Sequence, residues 1–142
     1  MNERSLDIGP SDLPLGFTDS IDIHDDERLR RISEEDQGQS YGNFVRGDIE
    51  DLPYDDSSFN KINAGQVIGS YSDVELSLSE VHRVLKPGGV FTMRTWGEYV
   101  PEVLRVSKSL GFMVVKNERG FYEDDYKEDY VDMRMLKSMR SL

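Results

Sequence analysis

The chain has 142 residues, a formal net charge of −11 and no cysteine. That length suits one domain with its own core; the missing thiols exclude disulfides, thiolate metal sites and a thiol nucleophile. The acidity argues against nucleic acid or an anionic membrane as partner, since both are bound through cationic groups.

No apolar run approaches the ~20 residues that span a bilayer, and MNERSLDIG lacks the apolar stretch of a signal peptide. A cytoplasmic protein of one domain over 1–142 is therefore expected. In chain order, Ser5 to Ile8 reads as a strand stopped by Gly9-Pro10, and Phe17 to Ile23 as a second. Asp26 is placed to cap a short helix over 27–35, with Leu29 and Ile32 on one face, followed by a polar loop over 37–43. Phe44-Val45 opens a third strand, residues 52–58 are turn chemistry, and Phe59 to Ile68 form a fourth strand.

Ser72 and Glu75 have the spacing of a capping box, and Val74, Leu78, Val81 and Leu85 form a buried stripe behind it. Lys86 suits the negative end of that helix and Pro87-Gly88-Gly89 stops it. Val90 to Thr95 is a fifth strand. Pro101 suits the first turn of another helix, with Val103, Val106 and Leu110 inward and Gly111 at its end. Phe112 to Val115, and Val131 with Met133 and Met135, are the closing strands, joined by an acidic, tyrosine-bearing connector over 121–130. Strands alternating with helices and then closing as a pair specify a mostly parallel sheet with a terminal hairpin.

The stretch GDIEDLPYDDSSFNKINAGQVIGSY, followed by SEVHRVLKPGGVF, resembles the class I S-adenosylmethionine-dependent methyltransferase family. An acidic loop, a "LPF-D-SFD" turn, a strand and a helix ending in "RVLKPGG" follow one another in that family. The resemblance covers residues 44–96 well and extends more loosely over Leu6 to Asp22 and the closing strands. It implies a Rossmann-like, seven-stranded methyltransferase fold in the α/β class, with helices on both faces. It also implies S-adenosylmethionine as cofactor and a small-molecule or protein substrate.

Carried over position by position, the resemblance puts Asp7, Gly9 and Ser11 in the first cofactor loop. It makes Asp22, beside Ile23, the acid for the ribose hydroxyls, and assigns Asp48 and Ile49 to the adenine site. A carboxylate suits a diol because it accepts two hydrogen bonds. Gln66 falls where the family places residues facing cofactor and substrate. Tyr71, Trp96 and Tyr99 follow strand ends on the substrate side, where an aromatic ring could stack a planar substrate or simply pack under a loop. No catalytic residue is assigned.

The first loop departs from the family pattern. Gly9-Pro10-Ser11-Asp12-Leu13 replaces a glycine-rich G-x-G-x-G, and Pro14-Leu15-Gly16 stands where a helix normally follows. Two functions are consistent with this: a methyltransferase acting on an unidentified substrate, or a non-catalytic methyltransferase-like binding or regulatory module. A homo-oligomer or a partner subunit fits either. Asp22 is open to the alternative of a solvated acid, and His82 reads as a surface residue. His24-Asp25-Asp26 is read as a helix start and not as a metal site, and no P-loop, Ser-His-Asp or nicotinamide pattern is present.

Overall fold

Short apolar runs bounded by turn residues become strands of one seven-stranded sheet in the computed structural model, whose described residues are 3–9, 17–22, 43–121 and 129–139. The strands are β1 (Ser5–Ile8), β2 (Asp19–Asp22), β3 (Asn43–Arg46), β4 (Phe59–Ala64), β5 (Leu85–Trp96), β6 (Phe112–Phe121) and β7 (Asp129–Lys137). Their order across the sheet is β3-β2-β1-β4-β5-β7-β6. Every pairing from β3 through β5 is parallel, and β7 runs antiparallel to both of its neighbours. The closing hairpin thus inserts its second strand inward.

Alternation decides what each face carries. Leu6 and Ile8, Ile62 and Ala64, Phe91 and Met93, and Val131, Met133 and Met135 are buried on one face. Helices α1 (Val74–Val84) and α2 (Val100–Leu110) pack on one another and cover that face with Leu78, Val81, Val103 and Val106. The strand register sends the intervening residues to the other face. There Ser20, Asp7, Asn63, Thr92 and Arg134 align in one row across the strands. No helix among the described residues is long and apolar enough to cross a membrane.

Several boundaries differ from the sequence expectation. The α1 cap is Asp73, whose carboxylate accepts from the Leu76 N–H at 2.9 Å. Ser72 is not the cap: its hydroxyl donates to the Val67 carbonyl and accepts from Ser77. α1 ends at Val84, and Leu85 already pairs with Phe59 in β5. Pro87-Gly88-Gly89 therefore lies inside β5, in an irregularity that opens between the Phe59–Leu85 and Lys61–Val90 pairs, and is not a helix stop. β4 stops at Ala64: Gly65 N–H still reaches the Ile8 carbonyl of β1, but from Val67 on the backbone bonds within its own loop, and β6 continues past Val115 to Phe121 against β7. The helix expected over 27–35, and nearly all of the loop after it, fall outside the described residues.

The cation at the α1 C-terminus is also a different one. Lys137 of β7, buried at 7% exposure, donates to the carbonyls of His82 at 2.6 Å and Leu85 at 2.8 Å. Those groups have no intrahelical donor, so the ammonium meets both their hydrogen bonds and the negative end of the helix dipole. Burial pushes this amine below its ordinary pKa. His82 is half-buried and not a surface residue: its ring stands edge-on to Phe112 at 5.0 Å. Burial, then the Lys137 charge, hold its pKa below the usual histidine value.

Candidate functional site

In an open parallel sheet the crevice lies beyond the carboxyl ends of the strands, where strand order reverses. Here that point falls between β1 and β4, and a cavity of about 560 Å³ opens there. It is lined by the ends of β1 and β2 (Ile8, Gly9, Ile21, Asp22), by Gly47, Asp48 and Ile49 after β3, and by Gln66, Val67 and Tyr71 after β4. The volume lies within the ~300–1,000 Å³ typical of small-molecule sites.

Three local structures shape the walls. Gly9 has φ +65°, and a Cβ there would stand 2.5 Å from Val67 Cγ2. Only glycine lets the backbone turn this way and pass so close to the β4 loop. Its N–H donates to the Ile21 carbonyl at 2.9 Å, which ties the end of β1 to β2. At the second wall, Asp48 and Asp51 close a turn (Asp51 N–H to Asp48 O, 3.0 Å), and the Asp48 carboxylate accepts from the Glu50 N–H at 2.9 Å. Ile49 is buried against the core beneath it.

The third wall, residues 65–72, is a compact loop bonded to itself. Val67 N–H donates to Gly65 O, Tyr71 N–H to Val67 O, and Gly69 N–H to Ser72 O. The buried Thr95 hydroxyl anchors it by donating to Ile68 O at 3.0 Å. The Tyr99 ring packs where a side chain at Gly69 would sit. This fixed loop carries Gln66, whose buried Nε2 has no hydrogen-bond partner in the protein, and Tyr71, which is 83% exposed at the rim. A buried amide donor without a partner leaves a hydrogen bond unmet beside the cavity.

The sequence-predicted positions divide accordingly. Gly9, Asp22, Asp48, Ile49, Gln66 and Tyr71 converge on the cavity. Asp7 does not line it: only 3% exposed, it accepts from Asn63 Nδ2 at 3.1 Å, and Asn63 in turn accepts from the Thr92 hydroxyl at 2.7 Å. Burial raises the Asp7 pKa to about 6 against the opposing effects of Asn63 and Lys61. Trp96 and Tyr99 are not lining residues, and Tyr99 takes the loop-packing role. Ser11 and Ile23 lie outside the described residues. Ile8, Ile21, Gly47 and Val67 line the cavity without having been singled out; each directly adjoins, or lies one residue from, a residue that was.

Two carboxylates, four aliphatic side chains and the Gln66 amide line one cavity, which can hold a ligand that has hydroxyl or amino groups and an apolar planar part. A family model described as a methyltransferase domain matches residues 17–93. Demethylmenaquinone methyltransferase of Staphylococcus carnosus is 30% identical over 87% of this chain and 49% of its own length. The mouse mitochondrial 2-methoxy-6-polyprenyl-1,4-benzoquinol methylase is 38% identical over 56% of this chain and 25% of its own. The chain thus spans half or less of these two curated relatives. A solved methyltransferase from Methanosarcina mazei superposes with a TM-score of 0.77 at 17% identity, covering 99% of this chain and 95% of that one. The [4+2]-cyclase SpnF has the same fold, with a TM-score of 0.76 at 16% identity, over 96% of this chain and 74% of SpnF. With the strand order, the inward hairpin and the matched domain in agreement, the chain belongs to the class I S-adenosylmethionine-dependent methyltransferase family.

Proposed function

We propose that the chain binds S-adenosylmethionine in the cavity at the β1–β4 switch point and transfers its methyl group to a nucleophile entering past Tyr71. The observation that carries this is the convergence of Gly9, Asp22, Asp48, Ile49 and Gln66 on one cavity of suitable size. The donor set fits the cofactor. Asp22 accepts from the ribose diol, Asp48 from the adenine amino group, and Ile8, Ile21, Ile49 and Val67 provide apolar contact for the base and ribose. The unpartnered Gln66 amide meets an acceptor on the cofactor's amino-acid end or on the substrate. The cofactor supplies an electrophilic methyl on a sulfonium; the protein's part is to hold donor and acceptor in line and keep water out. One curated relative is a demethylmenaquinone methyltransferase and another a benzoquinol methylase; the methyl acceptor of this chain is unidentified.

Calorimetric titration with S-adenosylmethionine and S-adenosylhomocysteine tests the reading, and an absence of heat and of thermal shift at about millimolar ligand would sink it. Asp22→Ala is expected to weaken binding by about 1.5–3 kcal/mol, the loss of a charged acceptor; unchanged affinity removes Asp22 from the site.

One feature favours a second reading, cofactor binding without transfer. β1 ends at Ile8 and β2 begins at Asp19. The connection between them, residues 9–18, is shorter than the about 11 residues of an average helix alone. Incubation with methyl-labelled cofactor and fractionated small molecules separates the readings: label leaving the cofactor pool supports transfer, and binding with no label movement in any fraction supports the binding module.

A further inference from the structure

Residues 47–58 carry the chain from β3 past β2 and β1 to β4, about 14 Å across three strand spacings, with no helix or ladder of their own. Past the Asp48–Asp51 turn, several of their backbone groups are satisfied from α1 instead. Leu52 N–H donates to Glu80 Oε1 at 2.8 Å, while Arg83 donates to Leu52 O at 2.9 Å and to Tyr54 O at 2.8 Å. Arg83 also reaches Asp56 at 2.9 Å and is held by both oxygens of Glu80, at 2.7 and 3.0 Å. Ser57 and Ser58 N–H groups donate to the α1 carbonyls of Arg83 and Val84. At the other end of the helix, Asp73 N–H donates to Glu50 Oε2 at 3.1 Å.

Exposed ion pairs are usually worth little, but this one does more than pair charges. Leu52 has both its N–H and its C=O held by the same clasp, and it directly follows the Asp48–Asp51 turn. Whatever fixes Leu52 fixes the end of the turn that presents Asp48 and Ile49 to the cavity. The task needs a planar fork with several donors at set angles, which lysine cannot supply.

We propose that Arg83 and Glu80 are positioning residues that, through the β3–β4 connection, set the Asp48–Ile49 wall and with it recognition of the adenine amino group. This inference rests on the cofactor reading above. The two fail differently in one experiment, which titrates the full chain with S-adenosylhomocysteine and with S-inosylhomocysteine, whose base bears an oxo group in place of the amino group. The parent chain prefers the adenine ligand. Arg83→Lys weakens S-adenosylhomocysteine binding about tenfold and changes S-inosylhomocysteine binding by less than about twofold, so the preference collapses. Melting curves establish that the variant is folded at the titration temperature, and Glu80→Gln, which keeps the shape, moves the preference in the same direction if Arg83→Lys does not fold. Equal weakening of both ligands means the clasp only supports the fold and overturns the inference, as does an unchanged preference in a folded variant. Failure of the parent chain to bind S-adenosylhomocysteine overturns the cofactor reading together with this one.

Discussion

The two faces of the sheet are built on different principles. The helix-covered face is mostly aliphatic and aromatic, from Leu6 and Ile62 to Phe91, Met133 and Met135, and α1 and α2 pack on it, with buried Asp19, Thr95 and Lys137 among its polar exceptions. The other face carries a row of polar groups in which a buried carboxylate, an amide and a hydroxyl satisfy one another (Asp7, Asn63 and Thr92), beside the two-point pairing of Arg94 with Asp132. One face holds the fold by area and packing, the other by matched donors and acceptors, so the same kind of substitution has unequal consequences on the two.

The largest effect is expected from Phe91→Ala, which empties a fully buried site on the packed face. About 3–5 kcal/mol should be lost in chemical denaturation; a loss under about 1 kcal/mol would mean that this face does not carry the stability assigned to it.

Next is Asp7→Asn on the polar face. Burial raises the Asp7 pKa from its ordinary value of 3.8 to about 6. The folded state therefore holds a proton that the unfolded state has released between those values. Asp7's contribution to stability falls as pH rises through that window, and its full cost, about 2–3 kcal/mol, is present above it. Asp7→Asn, whose amide oxygen can still accept from Asn63, should be more stable than the parent near pH 7 and about equal to it near pH 4. Denaturation at the two pH values checks this, and a variant destabilised equally at both would erase the distinction drawn for this face. The smallest effect is Thr92→Val, which removes one donor to Asn63 and should cost about 1 kcal/mol by the same measurement.

Periodicity made the packed face legible. The four–three spacing of α1 and the alternation of β7 are direct readings of which side chains must leave water. Boundaries were less legible where tertiary partners decide them. Asp73 outcompetes Ser72 as cap because Ser72 is engaged by Val67 and Ser77, contacts that no local pattern contains. Lys86 stood next to the helix in sequence, but Lys137, distant in sequence, is the residue that reaches its carbonyls.

At the site, the motif resemblance marked the acids and Gly9, whose roles follow from position at strand ends. It missed Val67 and Gly47, since an aliphatic residue and a glycine next to a motif carry no chemical signal of their own. It also placed Asp7 in the first cofactor loop, although the side chain turns into the sheet; the direction of one residue in a strand depends on register, which is set by neighbours β2 and β4.

The position of β7 between β5 and β6 bears on how the protein is made. A ribosome delivers β6 before the strand that pairs with it, and β5 has no neighbour on that side until residues 129–137 emerge. Until then the nascent chain exposes one edge of β5 and an unpaired β6 with Met113 and Val115 outward, a surface prone to pairing with the wrong strand. The arrival of β7 fills that gap and brings Lys137 to the end of α1, so sheet completion and helix capping are one late event. Shortening the chain before β7 would remove both at once and leave a species suited to aggregation.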